Sequence, residues 1–231
     1  MHQQEHQPAA PQHLTFVDPH TAICFGPGGD DRGQNSGTLM DMNQPAHDRA
    51  ALRVVHSAEQ MLPPEVVEKI YAAAAAQPPL SEPPTVARRF AELYRHARTE
   101  AGAVMTIATV AATPVGFAYG HNWNWDRSTD AWSSELRERL GEQAAQSIEN
   151  SFALELLAVT PTASGAGIGR QLLNSLLEAA PSSTAWLQTT DIDSPARHLY
   201  LATGWRTLGH GPDAPNGKPG LVMINQTPGQ D

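Results

Sequence analysis

Two features of the 231-residue chain have residue types and spacing suited to chemistry. The first is the turn Thr160-Pro161-Thr162-Ala163-Ser164-Gly165-Ala166-Gly167-Ile168-Gly169-Arg170, between an apolar run and a Leu-rich amphipathic segment. Glycines there permit positive φ and close backbone approach by a ligand. Successive N–H groups pointing at a helix N-terminus favour an anion such as a pyrophosphate. No Lys follows Gly169, so the turn is not a GxxxxGK[ST] phosphate loop, and it lacks the third glycine of a dinucleotide fingerprint. The second feature is Glu155, the single charge in the run Ala153–Thr160. A carboxyl buried there has a raised pKa unless it is paired, which suits it to taking a proton. The competing reading is a buried ion pair with Arg170 or Arg197.

Both features need a framework to hold them. Ala153–Thr160 is almost continuously apolar, as expected of a strand covered on both faces. Ile168, Leu172, Leu173, Leu176 and Leu177 then share one helical face. Upstream, Leu52–His56 reads as a strand and Glu65–Ala76 as a helix opened by Pro63-Pro64. A second helix follows Pro83-Pro84, with Val86, Phe90, Leu93, Tyr94 and Ala97 at spacings of three and four. Val104–Val110 and Val115–Tyr119 read as an antiparallel pair around Ala111–Pro114. The excursion His121–Ser151 has Trp132, Leu136, Leu140, Ala144 and Ile148 every four residues, which predicts that most of it is one helix. Ala185–Thr189, Trp205–Leu208 and Leu221–Asn225 read as strands, and Ser194–Thr203 as a short helix.

Leu156-Leu157-Ala158-Val159-Thr160-Pro161, Gly165-Ala166-Gly167-Ile168-Gly169 and Ala196-Arg197-His198-Leu199-Tyr200-Leu201-Ala202-Thr203-Gly204-Trp205 together resemble the GNAT family of acyl-CoA-dependent N-acyltransferases. In that family a strand ends L-x-V-x-P, the turn reads [RQ]-x-x-G-x-[GA], and a later helix reads A-x-x-L-Y-x-x-x-G-[FW]. The resemblance covers the element order from Leu52 to Asn225. It implies one α/β domain over residues 51–228, with a mixed, mostly antiparallel sheet and helices on both faces. Two departures thin the cationic help for the coenzyme's phosphates. Ser164 stands where Arg or Gln is usual, and Ala166 where a second base is common.

The activity implied by the resemblance is transfer of an acetyl group from acetyl-CoA to an amine, by direct attack in a ternary complex. The fourth strand would splay from the fifth and pair its backbone with the pantetheine amides. An N–H near Leu157, Ala158 and Val159 would stabilise the oxyanion. The amides of Ser164, Gly165, Ala166, Gly167, Ile168 and Gly169, with Arg170, would hold the pyrophosphate. Tyr200 matches the family position that protonates the leaving thiolate. Glu155 is the candidate base, since an amine with a free pKa of about 10.4 must lose a proton before it attacks. No metal is required, because proton removal and desolvation activate the amine. His198 reads as a surface residue, and Asp191 and Asp193 as turn and cap residues.

The acceptor is less legible. Trp123, Trp125 and Trp132 can wall a site, and residues 121–151 carry six acids against three bases, which suits a small cationic or antibiotic-like amine. The competing reading packs those tryptophans into the core. A protein lysine or N-terminal amine remains an alternative, as does an acyl-CoA-binding regulatory module without turnover. The resemblance is also compatible with a homodimer.

Charge and composition narrow the partners. The net charge of −9 argues against nucleic acid, and no apolar run approaches the ~20 residues that span a bilayer. One cysteine, Cys24, excludes a disulfide framework and a multi-thiolate zinc site. With no secretory leader legible, the expected location is the cytoplasm. Residues 1–50 hold five of the ten histidines but only nine large apolar residues, and are expected to form a disordered extension. Leu14–Val17 or Ala22–Phe25 are the places there where a short strand could form.

Overall fold

The computed structural model describes residues 50–226. The extension read over residues 1–50 lies almost wholly outside the described residues, as do both short strands proposed in it. One seven-stranded sheet runs β1 (Ala51–Val55), β2 (Val104–Val110), β3 (Thr113–Trp123), β4 (Ser151–Val159), β5 (Thr184–Thr190), β7 (Gly220–Gln226), β6 (Arg206–Gly211) in spatial order. Every neighbouring pair is antiparallel except β4–β5. The mixed, mostly antiparallel architecture expected from the sequence is therefore the observed one.

Two helices, α1 (Pro64–Ala75) and α2 (Pro84–Ala97), cover one face, each with Pro in its first turn where the missing N–H costs nothing. Val67, Ile70, Tyr71, Phe90 and Tyr94 pack there with Phe117, Tyr119, Leu156 and Ala158 of the sheet. On the other face α5 (Ile168–Ala179) buries Ile168, Leu172, Leu173 and Leu176 against Leu154, Leu157 and Val159. Each such side chain contributes roughly 1.5–3 kcal/mol. A third cluster forms under α3 (Ala131–Leu140), where Trp132 and Leu136 meet Trp123, Trp186, Val222 and Ile224.

Two readings need correction. Residues 121–151 do not form one long helix: the segment breaks at Gly141 (φ 75°) into α3 and the short α4 (Glu142–Ser147). The four-residue spacing was real but runs across that break. Strand β3 also runs four residues past Tyr119, so His121 and Trp123 belong to the sheet. Both pair with β4, through His121↔Ala153 and Trp123↔Ser151, and the ladder satisfies their backbone groups.

Candidate active site

The sheet opens between β4 and β5. They pair in parallel only at Phe152↔Ala185 and Ala153↔Trp186. Beyond Trp186, β5 pairs with β7 alone, and beyond Ala153, β4 pairs with β3 alone. The β4 edge from Leu154 to Val159 thus has no strand partner among the described residues, the splay anticipated from the sequence.

Glu155 sits at the opening. The β3–β4 register passes from Tyr119↔Leu156 to Gly120↔Leu154, so Glu155 is the extra residue of a bulge. Gly120 opposite it has no room for a side chain, since a Cβ there would lie 2.2 Å from the Ala153 carbonyl oxygen. Counting back from Leu157, strict alternation would put Glu155 under α5. The bulge instead turns Glu155 and Leu156 to the α1–α2 side. There the Glu155 side chain, 1% exposed, reaches a cavity of about 300 Å3.

That cavity lies between α2 and the loop after β3. Leu93, Ala97 and Glu100 line one side, Asn124, Arg127 and Asp130 the other, and Tyr119 and His121 the floor. Arg127 and Glu100 form an ion pair across it. Asp130 is the N-cap of α3, its carboxylate accepting from Ser133 N at 3.1 Å. A second hollow of about 390 Å3, lined by Asn150, Ser151 and Ser182, shares Asn122, Trp123, Asn124 and Arg127 with the first.

The partner of Glu155 is neither arginine named from the sequence. His121 Nε2 lies 3.1 Å from Glu155 Oε1, and His121 Nδ1 lies 2.9 Å from the Asn122 carbonyl oxygen. Arg170 instead donates to the Ala202 carbonyl at 3.3 Å, and Arg197 binds Asp191 at 3.1 Å. Burial alone would lower the His121 pKa, but the Glu155 carboxylate and the Asn122 carbonyl outweigh it and raise the pKa above 6.5. Burial, reinforced by Glu155, also holds the Tyr119 hydroxyl well above the usual phenol range. Sequence reasoning missed His121 because it was placed in the excursion; the signal available was its even spacing from Phe117 and Tyr119 along β3.

Tyr200, on α6 (Pro195–Ala202), is fully buried in the α5-side cluster, its ring 5.7 Å from Trp205. Ser194 caps that helix by accepting from Arg197 N at 3.2 Å. Asp191 bridges Arg197 and His210, and exposed His198 meets Asp193 at 2.8 Å.

In the glycine turn, Gly165 (φ 80°) and Gly167 (φ 74°) both occupy the left-handed region, and Gly167 is the N-cap of α5. A Cβ on Gly165 would meet nothing within 4 Å, so its exposed backbone is open to a ligand. The Ser164 hydroxyl donates to the Pro161 carbonyl at 2.7 Å, closing the turn. The shape thus suits a pyrophosphate at the head of α5, with backbone N–H groups as donors.

Only one of the three tryptophans named for an acceptor wall lines the cavity. Trp123 does so, while packed edge-to-face against Trp186 at 4.8 Å and Trp125 at 5.2 Å. Trp125 donates to the Ala145 carbonyl at 3.0 Å and Trp132 is 6% exposed under α3. Those two pack the excursion onto the core, because burying an indole gains more than leaving it in a wet wall.

Comparison with known proteins fits this geometry. The family model described as Acetyltransferase (GNAT) family matches residues 67–205. No curated protein matches the sequence. Among solved structures, a GNAT-family acetyltransferase from Desulfovibrio desulfuricans is 18% identical, covering 78% of this chain and 100% of its own, with a TM-score of 0.52. Aminoglycoside 6'-acetyltransferase type Ii is 16% identical over 78% of this chain and 99% of its own, at 0.52. The ribosomal-protein-S18-alanine N-acetyltransferase of Escherichia coli is 13% identical over 79% and 98%, at 0.50. At such identities these structures share the fold. Among the described residues no helix is long and apolar enough to cross a membrane. With the family model covering more than half of the chain, this protein belongs to the GNAT acetyltransferase family.

Proposed function

We propose that the protein moves an acetyl group from acetyl-CoA to the amine of a small cationic molecule by direct attack. The observation that carries this reading is the position of Glu155. It stands two residues past the last β4–β5 pair, with its carboxylate turned into a cavity bordered by Glu100 and Asp130. The acyl donor would lie along the unpaired β4 edge, its pyrophosphate on the Gly165–Gly169 amides. The acceptor would enter from the α2 side. A cavity of about 300 Å3 accommodates one small amine or the end of a larger one, and with Glu100 balanced by Arg127, the carboxylates of Glu155 and Asp130 favour a cation.

The ammonium form cannot attack, so Glu155 takes its proton. The free amine then adds to the thioester carbonyl, whose oxygen is polarised by a backbone N–H near Leu157–Val159. The C–N bond forms, the C–S bond breaks, and Tyr200 supplies a proton to the sulfur. The nitrogen gives up two protons in all: the one on Glu155 leaves to solvent, and the one lost after the C–N bond forms replaces, through solvent, the proton that Tyr200 gave to the thiol.

Calorimetric titration of acetyl-CoA into wild type and Gly167→Trp tests the donor site. Micromolar binding lost in the variant supports the reading, and absence of binding to wild type overturns it. An amine panel read by thiol release then tests the acceptor class. Acetylation confined to a protein lysine or N-terminus would replace the small-amine reading, and binding without turnover would replace the enzyme reading.

A further inference from the structure

Glu155 is not alone at the cavity floor. His121 is its neighbour on the adjacent strand, and the hydrogen-bonding of the imidazole restricts which proton can move. Nδ1 faces the Asn122 carbonyl at 2.9 Å. A carbonyl only accepts, so Nδ1 carries the hydrogen. The nitrogen that titrates is therefore Nε2, which lies 3.1 Å from Glu155 Oε1. Both side chains line the same cavity and both are largely buried, at 12% and 1% exposed.

We propose that His121 and Glu155 act as one proton-accepting unit, with His121 as a positioning residue that holds on Nε2 the proton Glu155 takes from the acceptor amine. This inference rests on the proposed function for its substrate, though the pairing itself does not. In the competent form Glu155 is ionised and His121 is neutral, with its hydrogen on Nδ1. When the ammonium gives up a proton, Glu155 receives it and the proton settles between Oε1 and Nε2. The unit's charge changes from −1 to 0, and the amine nitrogen changes from a cation to a neutral nucleophile. A lone carboxylate would undergo the same change of charge; what the imidazole adds is a second basic atom, 3.1 Å away, on which the proton can be held. Before the next turnover the proton passes to solvent at the cavity mouth.

Other ionisable groups face the pair. From α2 and the turn after it come His96 and Glu100, from β3 Tyr119, and from the loop before α3 Arg127 and Asp130. Glu100 and Arg127 neutralise each other, and the Tyr119 hydroxyl stays protonated across the working range. His96 is an exposed second imidazole, so the experiment must resolve it from His121.

The experiment has two readouts. Imidazole nitrogen NMR across pH 5–9, on wild type and Glu155→Gln, follows His121 Nε2 without any substrate. The expected result is an elevated His121 pKa that falls in the variant; an unchanged His121 pKa overturns the pairing. The second readout is the pH profile of kcat/KM for wild type and His121→Gln, using an amine accepted by wild type. Gln keeps a donor for Glu155 but cannot titrate. The proposal expects a wild-type acid limb with its midpoint above 6.5 that disappears or moves down in His121→Gln, with kcat lowered about tenfold or more and acetyl-CoA affinity retained. A purely structural His121 would be replaced by Gln with the limb unmoved, which overturns the proposal. If no amine is acetylated at all, the proposed function fails while the NMR arm still decides the pairing.

Discussion

His121 Nε2 lies 3.1 Å from Glu155 Oε1 across two neighbouring strands, at the point where β4 parts from β5. The pairing has a consequence for stability as well as for proton transfer. Burial opposes the charged imidazole, but Glu155 and the Asn122 carbonyl more than compensate, so the folded pKa is above 6.5. A group whose pKa rises on folding contributes stability that is fully present below its unfolded value. That stability is lost as pH climbs through the folded value. The melting temperature of wild type should therefore exceed that of His121→Gln most between pH 5 and 6.5, and the gap should narrow toward pH 8.5. A gap that widens with pH would show that the imidazole is not held as a cation.

If Glu155 takes the amine's proton as proposed, Glu155→Gln removes that acceptor while keeping size and hydrogen-bonding capacity. Loss of a general base costs on the order of 10²–10⁴-fold in rate. The fall should appear in kcat at neutral pH, with acetyl-CoA affinity unchanged, because Glu155 faces the acceptor cavity rather than the glycine turn. Steady-state kinetics paired with calorimetry separates the two quantities. Equal loss of coenzyme affinity would mean that the bulge, not the carboxylate, is what the substitution damaged.

Tyr200→Phe keeps the ring that packs 5.7 Å from Trp205 and deletes only the hydroxyl. If the hydroxyl protonates the leaving sulfur, kcat should fall about tenfold or more. KM and the melting temperature should move little. The loss should shrink with a thioester whose thiol is more acidic, since that leaving group needs less help. An equal loss with both thioesters would mean that the hydroxyl does not act on the leaving sulfur.

The elements around the site were legible where local chemistry dominated. The apolar run of β4, the leucine face of α5 and the glycine turn each report on one short stretch of chain. The site itself depended on a bulge, and nothing in Leu154-Glu155-Leu156 distinguishes a bulged strand from a regular one. The bulge is an agreement between two strands, as is the His121–Glu155 contact, and neither belongs to a single segment. The break at Gly141 was missed because Leu140, Ala144 and Ile148 keep a helical spacing across it. Trp125 and Trp132 fall outside the cavity lining while Trp123 lies in it, and the sequence could not separate them for a related reason: an indole fits a core and a binding wall equally well until its neighbours are known.

Ser164→Arg restores a cation at the glycine turn where the family commonly has one. The Ser164 hydroxyl closes the turn onto the Pro161 carbonyl, a bond worth about 1 kcal/mol that the variant gives up. Against that, if the turn holds the coenzyme as proposed, stands a guanidinium beside a pyrophosphate, whose benefit is screened beyond ~10 Å at 0.1 M salt. Acetyl-CoA should bind the variant a few-fold more tightly at low ionic strength, and the advantage should fade as salt rises. Titrations at two salt concentrations check it; a salt-independent change would mean the arginine does not face the phosphates.

Glu82 offers a stability test away from the site. It lies between α1 and α2, 7% exposed, with one carboxylate oxygen accepting from the Tyr71 hydroxyl at 2.6 Å. Its other oxygen, Oε1, has no hydrogen-bond partner among the described residues. Burial raises the Glu82 pKa and the Tyr71 hydrogen bond only partly offsets it. A carboxyl whose pKa rises on folding holds its proton longer in the native state. Stability therefore declines as pH rises from about 4.5 through the folded value. Gln at this position keeps an acceptor for Tyr71 and carries no charge at any pH. Glu82→Gln should match wild type near pH 4.5 and be the more stable protein at pH 8, by roughly 1 kcal/mol. Denaturant unfolding at the two pH values reads the difference directly, and a variant less stable at pH 8 would mean that the ionised carboxylate finds compensation that Gln cannot supply.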